Sequence, residues 1–73
     1  MATATSVIQN TIKAFVDGRG ISVYKFMQET GVSQPTAYDL YNHPEKIPTG
    51  ETLDKICRAY RIQPGVLLRF VED

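Results

Sequence analysis

Apolar residues recur along this 73-residue chain in short bursts of helical spacing. Between Ser6 and Asp17, the residues Ile8, Ile12, Phe15 and Val16 fall at i, i+4, i+7 and i+8, the stripe of an amphipathic helix. Gly18 and Gly20 end this first helix, one of them in the left-handed cap position. Ser22 caps a second, short helix that turns Val23, Phe26, Met27 and Thr30 inward, and Gly31 closes it. Ser33 caps a third helix running to about Asn42, where Pro44 forbids its extension. The segment His43-Pro44-Glu45-Lys46-Ile47-Pro48 reads as a loop. Thr49 caps a fourth helix, with Glu51 near its N-terminus and Arg58 and Arg61 at its C-terminus, as the macrodipole prefers. Its buried face is Leu53, Ile56, Cys57 and Tyr60. Pro64 starts a last short helix bearing Val66, Leu67, Phe70 and Val71. No strand-like alternation, repeat or low-complexity segment is visible. The expected architecture is all-α, a compact bundle of five short helices in a single domain spanning residues 1–73, with residues 1–5 disordered.

Composition narrows what such a bundle can do. A hydrophobic content of 42% suits a folded globular chain and excludes disorder. No apolar run approaches the roughly 20 residues that span a bilayer, so no membrane partner is expected. Met1-Ala2-Thr3-Ala4-Thr5-Ser6 lacks the basic region and apolar core of a secretory signal. A single cysteine, Cys57, rules out an internal disulfide and fits a reducing cytoplasm. With one histidine and one cysteine, a four-ligand zinc site of the usual kind is also excluded. Catalysis needs a nucleophile, a base and an orienting group that converge. The only histidine, His43, lies in a loop and Cys57 on a buried helix face, so no enzyme and no cofactor are expected. Eight basic and eight acidic residues give zero net charge, hence no global field drawing the chain to nucleic acid. Any such role rests on where the charges lie.

Two short helices joined by a tight glycine turn fit a helix-turn-helix, whose second helix enters the DNA major groove. They fit an ordinary αα-hairpin equally well, and spacing leaves both open. From about Ile12 to Leu68, however, the chain resembles the phage-repressor-like (lambda repressor/Cro, XRE) helix-turn-helix family. The residues that carry the resemblance are Arg19-Gly20-Ile21-Ser22, Gly31-Val32-Ser33-Gln34 and Asn42, then Ile47-Pro48-Thr49 and Glu51-Thr52-Leu53 followed by Ile56. The motif then spans about residues 22–42.

The resemblance implies a small transcriptional regulator that binds double-stranded DNA sequence-specifically, its helix of about residues 34–42 in the major groove. Gln34 takes the leading base-reading position, where a glutamine pairs with the N6/N7 edge of adenine. Ala37 and Leu40 face the core with Tyr41 beside them. The base-facing residues are then Gln34, Pro35, Thr36, Tyr38 and Asp39. The DNA-backbone residues are Ser22, Lys25, Ser33, Asn42, His43 and Lys46. Pro35 is tolerated in the first turn because those N–H groups lack helical partners, and it stiffens Gln34. Asp39 has two readings, an acceptor for cytosine N4 or a partner for a nearby Lys or Arg.

Other departures touch the packing. Val23 stands where relatives carry a phosphate-anchoring glutamine, and Met27 with Ala37 looks like a compensating size swap. Thr30 replaces a usual leucine, weakening the core slightly, and Arg61 replaces a glycine, which implies a non-glycine residue at positive φ. One recognition helix reads few base pairs, so a weak two-fold homodimer is expected through the C-terminal helix, using Phe70 and Val71. The rival reading is an antitoxin-like or adaptor module that grips another protein with the same fold.

Overall fold

Among the described residues, four α-helices, one 3-10 turn and two strands follow one another. They are β1 (Ser6–Asn10), α1 (Ile12–Gly18), α2 (Val23–Thr30), α3 (Gln34–Asn42), α4 (Gly50–Tyr60), the 3-10 turn (Pro64–Val66) and β2 (Leu68–Glu72). The computed structural model describes residues 6–72, and the disorder expected of residues 1–5 lies outside them.

The interior helices form where local signals place them. The Ser22 hydroxyl accepts from the Lys25 N–H at 3.0 Å to start α2, and Thr49 accepts from the Thr52 N–H at 3.2 Å to start α4. Gly31 ends α2 at φ 79°, a left-handed conformation that costs a residue without Cβ nothing. Arg61 ends α4 at φ 56°, so the non-glycine residue at positive φ expected there is present.

Both ends of the chain depart from the all-α, five-helix expectation. Ser6–Asn10 is a strand, not the start of a helix, and the segment after Pro64 makes only one 3-10 turn before β2. The two strands pair antiparallel, Val7 opposite Val71, Ile8 opposite Phe70 and Asn10 opposite Leu68. Val7, Ile8, Phe70 and Val71 are β-branched or aromatic and suit a pleated strand. Ile8 shares the helical spacing of Ile12 and Val16 but is exposed, whereas Ile12 and Val16 are buried. The helix begins only at Ile12, whose N–H donates to the Asn10 side-chain oxygen at 3.1 Å.

The core comprises Ile12, Val16, Val23, Phe26, Val32, Ala37, Leu40, Ile56 and Leu67. Fully burying a side chain such as Phe26 contributes about 1.5–3 kcal/mol. Tyr60 braces this core: its ring stacks on Phe26 at 6.2 Å and meets Phe15 edge-on at 5.1 Å. The Arg19 guanidinium lies over Tyr60 at 4.5 Å, and the Tyr60 hydroxyl donates to the Glu29 carboxylate at 2.6 Å. Burial and then that hydrogen bond hold the Tyr60 phenol well above its ordinary pKa. One hydrogen bond therefore ties α2 to α4 without burying a charge.

Candidate nucleic-acid interface

The turn between α2 and α3 sets the angle at which α3 is presented. Val32 is buried and pins the turn to the core. Its N–H donates to Thr30 Oγ1 at 3.2 Å, while that hydroxyl donates to the Phe26 carbonyl at 2.8 Å. Thr30 thus does more than stand in for a larger core residue: it satisfies a buried donor that no aliphatic side chain could.

Helix α3 divides cleanly into two faces. Ala37 and Leu40 are buried, and the absence of side-chain bulk at Ala37 lets α3 approach the core closely. Met27, half-buried, packs against the same cluster. Gln34, Pro35, Tyr38, Asp39 and Asn42 are all exposed, and Thr36 is half-buried at their flank. Tyr41, half-buried, donates its hydroxyl to Asp17 Oδ1 at 2.6 Å. Lys13 donates to Asp17 Oδ2 at 2.8 Å and lies over the Tyr41 ring at 4.9 Å. This triad ties α3 to α1. The Lys13 and Tyr41 hydrogen bonds hold the Asp17 carboxyl below its usual pKa, and the Asp17 bond raises that of Lys13.

At the N-terminus of α3, the Ser33 backbone takes the cap position but its hydroxyl makes no cap bond. The N2 residue is Pro35, which has no N–H to give, and Ser33 Oγ instead donates to Thr36 Oγ1 at 3.0 Å. The first-turn N–H groups therefore keep no side-chain partner from Ser33 and stay available to an anion.

The charged residues gather at the other end of α3. Asp39 lies 4.0 Å from Lys46 Nζ and 3.9 Å from His43 Nε2, and His43 Nδ1 lies 3.4 Å from Glu45. Asp39 thus has the cationic neighbour that one of its two readings requires. Ser22 and Lys25 are exposed at the start of α2, where Ser22 doubles as the helix cap. Val23 is buried, so that side chain anchors no phosphate. Asn10, which sequence reasoning placed inside the first helix, proves to hold the loop after α3. Its side-chain amide donates to the carbonyls of His43 at 3.0 Å and Lys46 at 2.6 Å. An asparagine two residues ahead of an apolar helix start is an Asx-type signal for the bond its side-chain oxygen accepts from the Ile12 N–H, but it gives no sign of the bonds to the loop.

Among the described residues, no helix is long and apolar enough to cross a membrane. Nor do they contain a group of three or more His, Cys, Asp or Glu side chains able to hold a metal ion. Cys57 is half-buried against the core.

A short α2, a left-handed glycine turn and an α3 with one buried and one polar face define a helix-turn-helix protein. The profile of the Cro/C1-type HTH DNA-binding domain matches residues 11–73, and the chain belongs to that family. The resemblance read from the sequence therefore holds, and DNA binding in transcription regulation is the family's role. No curated protein and no solved structure matches the chain.

Proposed function

We propose that the chain is a sequence-specific regulator that reads double-stranded DNA with α3 in the major groove. The observation that carries this reading is the exposed row Gln34, Pro35, Tyr38, Asp39 and Asn42, backed by buried Ala37 and Leu40. Gln34 and its flank read base edges, with Pro35 restricting the backbone of Gln34. Ser22, Lys25, Ser33, Asn42, His43 and Lys46 grip the phosphates on either side. Asp39 is assigned to Lys46, keeping that cation over the groove until a phosphate competes for it. Gln34→Ala tests the reading directly. It is expected to cost about 1–3 kcal/mol on the preferred site and to relax selectivity while folding is unchanged.

The dimer contact assigned to a C-terminal helix moves to strand β2, because those residues are not helical. Phe70 is exposed beside Ile8 on one face of the ribbon, and Val7 and Val71 line the other. The Thr11 N–H donates to the Leu67 carbonyl, which makes Ile8 and Phe70 a non-hydrogen-bonded pair with backbone groups turned to the outer edges. On the β1 side, the Asn10 N–H is taken by the Pro44 carbonyl at 2.8 Å, which leaves β2 the more open edge among the described residues. Phe70 paired with its own two-fold mate is the self-complementary contact we assign. Sedimentation of the parent and Phe70→Ser with a palindromic duplex tests it, and a strictly 1:1 complex of the parent overturns it.

The adaptor reading draws on zero net charge and the pairing of Asp39 with Lys46. Absence of retention on random duplex DNA at low salt would favour it.

A further inference from the structure

We infer that Asn10 is a positioning residue for DNA binding, one that sets affinity without touching DNA. The inference rests on the DNA-binding reading proposed above. Asn10 is 4% exposed, so its side chain cannot meet a phosphate. It closes β1 and contacts the loop that carries His43 and Lys46. Its backbone N–H donates to the Pro44 carbonyl at 2.8 Å, and its side-chain amide donates to the carbonyls of His43 and Lys46 at 3.0 and 2.6 Å.

Among the described residues, these are the only hydrogen bonds that reach this loop from outside α3 and the loop itself. The others are local: the His43 N–H donates back to Asp39, and the Lys46 N–H donates to His43. The remaining side-chain oxygen of Asn10 accepts from the first N–H of α1 at 3.1 Å. The position thus needs two N–H donors and one acceptor on a short stem, which asparagine supplies. Aspartate offers no donor, and serine is too short to span both carbonyls.

The consequence is electrostatic. Lys46 can engage a phosphate only where its backbone holds it, and its carbonyl is what Asn10 grips. Freeing the loop spreads the lysine over many positions, so its charge no longer contributes a fixed contact. The salt dependence should then fall as if the lysine were absent.

The test is a double-mutant cycle on random-sequence duplex DNA, read by fluorescence anisotropy over a range of salt. The four proteins are the parent, Asn10→Ser, Lys46→Ala and the double variant. Serine keeps an acceptor for the α1 N–H, as Ser22 does for α2, and removes the bonds to the loop. Circular dichroism confirms that each protein is folded under the assay conditions. Asn10→Ser is expected to bind weaker by a factor on the order of ten, with the salt slope reduced by about one. Lys46→Ala is expected to cost the parent a similar factor and the Asn10→Ser background almost nothing. An equal loss in both backgrounds would make Asn10 merely structural and overturn the inference. Should Asn10→Ser fail to fold, the unaltered chain decides by nuclear magnetic resonance. The Asn10 side-chain amide signals are expected to shift on adding duplex with the same midpoint as the Lys46 backbone amide, and unmoved signals would overturn the inference. A parent that binds no duplex at low salt would instead refute the reading on which the inference rests.

Discussion

Thr30→Val exchanges a hydroxyl for a methyl at constant shape and so isolates two hydrogen bonds at the end of α2. Thr30 is 8% exposed, and its hydroxyl donates to the Phe26 carbonyl and accepts from the Val32 N–H. Losing the first bond costs little, because a helix-interior carbonyl such as that of Phe26 also faces the N–H of residue 30. The second bond is different. Val32 is 4% exposed and, among the described residues, its N–H has no other partner. Leaving a buried donor unpaired costs about 1–3 kcal/mol, against about 0.8 kcal/mol recovered by burying the new methyl. The net expectation is a loss of about 0.2–2 kcal/mol. For a chain of this length, that lowers the melting temperature by roughly 1–15 °C. Thermal and urea melts followed by circular dichroism measure it, with an unchanged urea slope showing that the unfolded state is not the cause. A variant as stable as the parent would refute the reasoning and restore Thr30 to the weak core residue that the sequence alone suggests.

Three further outcomes follow from the same contacts. Leu40→Ala empties a buried site under α3 and should cost about 2–5 kcal/mol, so a melting temperature near the parent's would put Leu40 on the surface. Arg61→Gly relieves a side chain held at φ 56° and should stabilise by about 0.5–1 kcal/mol after the added freedom of the unfolded chain is counted, and a destabilised variant would refute the strain. The Asp17 carboxyl, depressed by Lys13 and Tyr41, contributes stability that is present above the ordinary carboxylate pKa and lost as pH falls through its folded value. Tyr41→Phe should raise the Asp17 midpoint in a carbon-detected titration, and an unmoved midpoint would remove Tyr41 from that interaction.

The middle of the fold was legible because its signals are local. Ser22, Gly31 and Ser33 mark helix ends through bonds or dihedral angles that involve residues at most a few positions away. The two faces of α3 follow from Ala37 and Leu40 lying three apart. The termini were opaque for the opposite reason. Ile8 continues the helical spacing of Ile12 and Val16, and only its pairing with Phe70 makes it a strand residue. Nothing near either residue records that partner. Val66, Leu67, Phe70 and Val71 likewise fit a helical face until β1 offers a backbone to pair with. At the interface, the exposed residues were nameable from the helix phase, but Asn10 was not. Its role depends on carbonyls more than thirty residues away in sequence. The neighbours of Asp39 were open for a related reason, since Lys46 reaches it only because the loop turns back beside α3.

Selection of bound fragments from a random pool of duplex DNA, run in parallel with the parent and Gln34→Ala, tests the central claim most directly. The parent is expected to enrich one sequence, with half-sites about 34 Å apart if the dimer forms. Gln34→Ala, equally folded, is expected to retain duplex with the same salt dependence but to lose that preference. A parent that retains no duplex at low salt, or a Gln34→Ala variant that enriches the parent's sequence undiminished, would contradict the account.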